Sequence, residues 1–283
     1  MIRPIGRMRS PLFAPAVRPD FVAKLPERGA DVVVIDCEDA TPPDAKSIGR
    51  RNARELAPSL AASCQVTVRI NSPATEWFLD DVRDGLCVEL AAVVVPKIES
   101  VVDLDRVARE LAAAGFADLG VVAGIETALG VADARALLAH PQVVAAYFGA
   151  EDFIADMGGV RTASNHEVAF ARSAVAMAGR LAGVPVLDQV VTDFRDDERF
   201  VREASEARAL GYAGKLCIHP SQVALANGAF VPSAIEVDRA RRLIEAYESA
   251  SAAGMAAIDF EGQMVDAPLA AQARRVLALA DGA

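Results

Sequence analysis

Two acidic residues stand where they could hold a metal. Glu126 ends the apolar run of GVVAGIET, and Asp152 follows the apolar run of VVAAYFGAED. Such runs read as buried strands, which puts both acids at strand ends. Paired oxygen ligands suit a hard divalent cation, and Mg2+ keeps several waters while taking only one or two protein carboxylates. Zinc is disfavoured, because the three histidines, His140, His166 and His219, are not at ligand spacing. A metal with open positions chelates the carboxylate and carbonyl of a 2-oxo acid and stabilises an enolate oxygen as a Lewis acid.

Polar residues follow the other apolar runs as well. Arg18 comes after the first, and Asp36, Glu38 and Asp39 come at the end of DVVVID and just beyond it. Arg69 and Asn71 close QVTVRIN, and Lys97 ends AAVVVPK with Glu99 beyond. Gly149, Ala150 and Glu151 precede Asp152, and the last two runs supply Asp188, Asp193 and His219. Any one of the acids is also explained as a helix N-cap, where negative charge is favoured. Arg69 and Lys97 do not fit that explanation, because cations are disfavoured at helix starts. An anion receptor or an ion pair explains them better, and a bidentate guanidinium fork at Arg69 would grip a carboxylate. Arg18, Lys97 and the Gly149-Ala150-Glu151 turn are further candidates for substrate contact. Lys97 or Lys215 as a desolvated Schiff-base nucleophile is an alternative. It ranks below the metal, since it has no use for paired carboxylates. Neither a G-x-S-x-G elbow nor a G-x-x-x-x-G-K-[ST] phosphate loop is present.

Eight short runs carry these residues: 10–16, 31–36, 65–71, 91–97, 119–126, 143–150, 185–191 and 213–220. They are continuously apolar, which predicts strands buried on both faces of a parallel sheet. Helices are expected between them, near 19–28, 44–57, 76–86, 101–114, 130–139, 166–182 and 195–211. The alternation predicts a (β/α)8 TIM barrel over residues 1–228, with its site at the C-terminal face of the strands. An open doubly wound sheet is the competitor, but no G-x-G-x-x-G follows the first strand. Residues 152–166 are expected to form the longest irregular loop of the barrel. The remaining residues, 229–283, read as a helix over 233–252, a Gly-containing loop IDFEGQMVDAP and a last helix. This arm is expected to fold over the site or onto a neighbouring subunit.

Apolar residues make up 53% of the 283, enough for a large core. A net charge of −10 argues against nucleic acid as a partner. Local cations still permit small anionic substrates. No run reaches the length of a membrane span, and MIRPIGRMRS has no apolar stretch behind its arginines. Cys37, Cys64, Cys87 and Cys217 form no C-x-x-C pair and read as free thiols, so a soluble cytoplasmic protein is expected.

The motifs VVVIDCEDA, TVRIN, VVVPKIES, AGIET, FGAEDF, GKLCIHPSQ and FEGQMVDAP resemble the citrate lyase β-chain (CitE-like) family of the HpcH/HpaI aldolase superfamily, almost end to end. The resemblance implies a TIM barrel and Mg2+-dependent carbon–carbon cleavage or formation on 3-hydroxyacyl-CoA esters of the citryl-, malyl- or citramalyl-CoA type. A 2-oxo acid and an acyl-CoA would be the products. It also implies that Glu126 and Asp152 are metal ligands and that Arg69 holds the substrate carboxylate. Asp36 and Glu38 would sit near the metal's waters. Asp266 would serve as an acid/base in a neighbouring subunit's site, within a homotrimer or hexamer. Cys37 stands where a Leu is common in the family. Two alternatives remain within the resemblance: a citrate lyase β subunit acting on a carrier-bound citryl group, and an aldolase or malate-synthase-like condensation.

Overall fold

Branched side chains suit a pleated surface packed on both sides. In the computed structural model, which describes residues 1–281, the Val- and Ala-rich runs form eight parallel strands. They are β1 Pro11–Pro15, β2 Val32–Asp36, β3 Gln65–Arg69, β4 Ala92–Val95, β5 Gly120–Ile125, β6 Val143–Phe148, β7 Val186–Asp188 and β8 Gly214–Lys215. Each strand pairs with the next in sequence. Hydrogen bonds from Lys215 N to Arg9 O (3.0 Å), Cys217 N to Pro11 O (2.9 Å) and Phe13 N to Cys217 O (2.9 Å) join the last strand to the first. The sheet is therefore the TIM barrel that the sequence predicts.

The crossovers carry α1 Pro19–Val22, α2 Lys46–Ala61, α3 Phe78–Asp84, α4 Val101–Ala113, α5 Ala128–Ala132, α6 Ala134–Leu138, α7 Ala150–Asp156, α8 Ala169–Ala182 and α9 Asp197–Leu210. Local chemistry sets several of their ends. Ser100 and Asp103 form a capping box at the start of α4. Gly183 and Gly211, with φ of 73° and 96°, end α8 and α9 in the left-handed conformation. Three sequence expectations change here. The helix expected over 19–28 is α1 and a 3-10 turn at Leu25–Arg28, and the one over 130–139 divides at Asp133 into α5 and α6. The loop expected from residue 152 starts instead as the helix α7.

Inside the barrel, Val32, Val34, Ala92, Val94, Val122, Ala145, Tyr147, Leu187 and Leu216 form one buried cluster with Met8. The intervening residues, such as Val33, Ile35, Val93, Val121 and Ala146, are buried too and face the opposite way, towards the helices. That two-sided burial is why the runs show no polar alternation.

The chain divides into two units, Met1–Asn227 and Gly228–Ala283, and α10 Ser221–Ala229 crosses the division. The second unit pairs α11 Ala234–Ala252 with α12 Ala267–Asp281 around a core of Ala240, Leu243, Val265 and Ala273. The segment expected as a loop is an antiparallel hairpin, β9 Ile258–Phe260 with β10 Gln263–Val265. Its turn residues Glu261 and Gly262 both have positive φ, 53° and 78°, the signature of a two-residue type I′ turn. Arg242 and Arg239 hold the Glu261 carboxylate at 2.6 and 2.9 Å. Among the described residues, no helix is long and apolar enough to cross a membrane.

Candidate active site

The register of β2 and β3 places Asp36 opposite Arg69. By alternation from Val34, both point into the barrel mouth. Arg69 donates from Nε and Nη2 to the two carboxylate oxygens of Asp36 at 2.7 and 2.6 Å. Burial works against the guanidinium charge, but Asp36 more than offsets it, and the pKa of Arg69 is raised well above its ordinary value. Arg69 also lies over the Phe13 ring at 5.2 Å. Its fork is thus occupied by Asp36, and Nη1 is the part left to face other groups.

Asp36 also accepts the backbone N–H groups of Glu38 and Ala40 at 2.9 and 3.2 Å, which winds the chain into a turn after β2. Beneath that turn the buried Lys46 ammonium donates to the carbonyls of Cys37 and Glu38 and to Asn71 Oδ1, at 2.7–2.9 Å. The turn brings Glu38 back to the mouth. Glu38 Oε1 accepts Lys97 Nζ at 2.6 Å. Glu38 Oε2 lies 3.1 Å from Arg69 Nη1 but is buried with no hydrogen-bond partner. Burial raises the pKa of Glu38 against the opposing charges of Arg69 and Lys97.

Lys97 has a left-handed φ of 53°, an uncommon conformation for a residue with a side chain. That conformation lets one residue serve two acids besides Glu38. Its backbone N–H donates to Glu126 Oε1 at 2.8 Å, and its ammonium lies 3.4 Å from Asp152 Oδ1. Burial lowers its pKa, but the charges of Glu38 and Glu126 prevail and raise it overall. Lys97 is therefore a fixed cation and a poor Schiff-base nucleophile.

Glu126 follows β5 directly and is 2% exposed. Its Oε1 accepts a second hydrogen bond, from Tyr147 Oη at 3.0 Å. Burial pushes its pKa up to about 7, helped by Asp152 and Glu38 and opposed by Lys97. Two glycines make the space. A Cβ on Gly124 would stand 2.5 Å from Tyr147 Oη, and one on Gly149 would stand 2.3 Å from Glu126 Oε2. Asp152 lies in the first turn of α7, half-exposed at the rim.

Five carboxylates, from Asp36, Glu38, Asp39, Glu126 and Asp152, thus meet two cations, Arg69 and Lys97. The surplus negative charge fits a bound cation and its water. Among the described residues, no group of three or more His, Cys, Asp or Glu forms a metal cage. The donors gathered at the mouth are carboxylate oxygens, the ligand type that Mg2+ takes together with water.

Residues 9–220 match the model of the HpcH/HpaI aldolase/citrate lyase family. The chain belongs to that family. A citrate lyase subunit beta-like protein of Deinococcus radiodurans is 47% identical over 282 residues, covering 98% of this chain and 99% of that protein. A mitochondrial citramalyl-CoA lyase of Mus musculus is 29% identical over 289 residues, 96% of this chain and 86% of that protein. Among solved structures, CitE of Mycobacterium tuberculosis in complex with magnesium, acetoacetate and coenzyme A superposes with a TM-score of 0.84. It is 32% identical and covers 98% of this chain and 99% of that one. The family resemblance read from the motifs therefore holds.

In this HpcH/HpaI member the other expected residues each make local contacts of their own. Arg18 is exposed, pairs with Asp20 at 2.7 Å and covers Phe21. Glu151 is exposed and pairs with Arg161 at 3.0 Å, while Ala150 is buried. Asp188 and Lys215 alternate to the outside of the barrel. There Lys215 Nζ is fully buried, 2.7 Å from Asp188 and 3.3 Å from Glu203 of α9, and Arg172 of α8 closes the cluster on Asp188. Lys215 is thus structural, and the Schiff-base alternative fails there too. His219 bonds Ser221 at 2.8 Å and stacks on Phe194 at 4.6 Å. Asp266 belongs to the second unit, where its Oδ1 accepts Leu269 N at 3.4 Å near the start of α12. Sequence reasoning missed Lys46 and Tyr147. For Lys46 one signal existed, since a lysine at a helix start is unfavourable unless something compensates it. For Tyr147 there was none, because a tyrosine in an apolar strand reads as core.

Proposed function

We propose that the chain is a Mg2+-dependent carbon–carbon lyase that cleaves a 3-hydroxyacyl-CoA ester of the citryl-, malyl- or citramalyl-CoA type to a 2-oxo acid and an acyl-CoA. The observation that carries this reading is the Glu126–Lys97–Asp152 constellation at the strand ends. The names and ligands of relatives support it: one is a citramalyl-CoA lyase, and another is bound to magnesium, acetoacetate and coenzyme A. Glu126 and Asp152 would hold the ion, which supplies Lewis acidity to the oxygens of the 2-oxo acid portion.

The chain's own residues divide the remaining work. Lys97 and Arg69 Nη1 set positive charge beside the substrate carboxylate. Asp36 keeps Arg69 in one orientation, so its own role is positioning. Glu38 Oε2, ion-paired with Arg69 Nη1 but accepting no hydrogen bond, offers an acceptor to the substrate's β-hydroxyl or to a water. In cleavage the hydroxyl proton passes to a base and the oxygen becomes the carbonyl of the 2-oxo acid. The carbon–carbon bond electrons go to the thioester enolate, which takes up a proton at carbon. Asp266, delivered by the second unit of a neighbouring subunit, is our candidate for proton transfer. That assignment requires a homo-oligomer, a trimer or hexamer.

The test is a panel of hydroxyacyl-CoA thioesters assayed for 2-oxo acid release, with and without EDTA. Cleavage of at least one thioester, abolished by EDTA and restored by Mg2+, is expected. Undiminished turnover by chelator-stripped protein would overturn the metal assignment. Cleavage of a carrier-bound citryl group alone would mark a citrate lyase subunit instead. The Asp266→Asn variant should lose most turnover; a near-normal rate removes Asp266 from the mechanism.

A further inference from the structure

We propose that Asp156 positions the metal-binding pair, a role that rests on the assignment of Glu126 and Asp152 to Mg2+. Asp156 is the last residue of α7, four positions after Asp152 and thus on the same helical face. Its Oδ2 accepts the backbone N–H of Ala128 at 2.7 Å. Ala128 opens α5, two residues after Glu126. One hydrogen bond therefore links the helix carrying one acid to the segment carrying the other. Thr127, between them, is held by its own cap, with Oγ1 accepting Gly130 N at 3.0 Å.

The far end of α7 is tied to the same segment, because Gly149 N donates to Ile125 O at 3.2 Å. The helix is thus pinned to the β5–α5 segment at both ends, with Asp152 between the pins. Glu126 is already immobilised through Lys97 N and Tyr147 Oη. Removing the Asp156 bond leaves α7 held by its buried Ala150, Phe153 and Ile154 but loosens its C-terminal turn from the β5–α5 segment, and the separation of the two acids is less sharply defined. Asp156 is itself exposed, so this bond is what orients its side chain, while buried Phe153 and Ile154 seat the helix. Its negative charge also suits the helix N-terminus that it caps.

The test is calorimetric titration of Mg2+ into the full-length wild-type, Asp156→Ala, Asp156→Asn, Ala128→Pro and Glu126→Gln proteins, with circular dichroism to confirm folding. Asp156→Ala is expected to weaken Mg2+ binding roughly tenfold, as losses of groups that orient metal ligands do. Asp156→Asn keeps an oxygen acceptor and should stay close to wild type. Ala128→Pro removes the donor at a first-turn position where proline is tolerated. It should reproduce the loss, and it tests the same bond should Asp156→Ala not fold. Wild-type affinity in Asp156→Ala or Ala128→Pro overturns the proposal, as does an equal loss in Asp156→Asn. Absence of Mg2+ binding by the wild type, or full binding by Glu126→Gln, overturns the metal assignment instead.

Discussion

A methyl group at residue 149 probes the site without removing any functional atom. The Gly149 backbone, at φ −101° and ψ 93°, is open to alanine, so Gly149→Ala carries no conformational penalty of its own. The new Cβ would lie 2.3 Å from Glu126 Oε2 and 2.7 Å from Glu126 Cβ. Carbon contacts are comfortable at about 3.5 Å or more, so the Glu126 side chain must retreat by roughly 1 Å. It has nowhere to go while Lys97 N and Tyr147 Oη hold Oε1 at 2.8 and 3.0 Å. Overpacking of this kind costs about 1–3 kcal/mol. The lower chain entropy of alanine in the unfolded state offsets about 0.4–1 kcal/mol of that. A net destabilisation of about 1–2 kcal/mol is expected in urea titrations. Function should suffer far more: Mg2+ affinity is expected to fall about 10–100-fold, and turnover about a hundredfold, the scale of a 1 Å misplacement. Calorimetry with Mg2+ and 2-oxo acid release measure these. Gly159→Ala is the control, since its Cβ would meet Ile154 at an ordinary 3.5 Å. If Gly149→Ala binds Mg2+ and turns over like wild type, Glu126 is not the tightly held ligand described above.

Two further outcomes follow from the charges. Burial first, then the neighbouring acids, raises Glu126 to about 7. The folded metal-free protein then binds this proton more tightly than the unfolded chain does, so the group's contribution to stability falls as pH rises from the ordinary carboxylate range to about 7. Mg2+ must expel that proton, so apparent Mg2+ affinity should rise about tenfold per pH unit up to roughly neutral pH and level off above. Titration calorimetry in buffers of different ionisation heat reads both the affinity and the proton released, and a flat profile refutes the assignment. Separately, Lys215→Met leaves Asp188 and Glu203 buried beside an apolar group. It should destabilise the protein by about 3 kcal/mol or more in urea, and a stability change near zero would show that Arg172 and Arg199 neutralise the two acids unaided.

What could be read from the amino acids alone was the set of elements and their order. Continuous apolar runs demanded burial on both faces, and eight of them separated by helical stretches left a closed parallel barrel as the economical solution. Positions at the ends of those runs placed Asp36, Arg69, Lys97, Glu126 and Asp152 at one mouth, because the C-terminal ends of all strands of such a barrel share a face. The side of the strand was not legible. A run apolar on both faces carries no period to distinguish inward from outward, so Asp188 and Lys215 read like site residues and prove to be a buried pair under the helices.

Partner choice was also beyond the sequence. The register of β2 on β3 decides that the Arg69 fork closes on Asp36, and hydrogen bonding between distant segments sets that register. Lys97, Tyr147 and the missing side chain at Gly149 converge on Glu126 from three points of the chain, and the missing side chain at Gly124 leaves room for Tyr147. Composition and spacing fix which groups are present. Distances of 2.6–3.4 Å between the Lys97 ammonium and the acids it faces exist only once the barrel closes and its strands settle relative to one another.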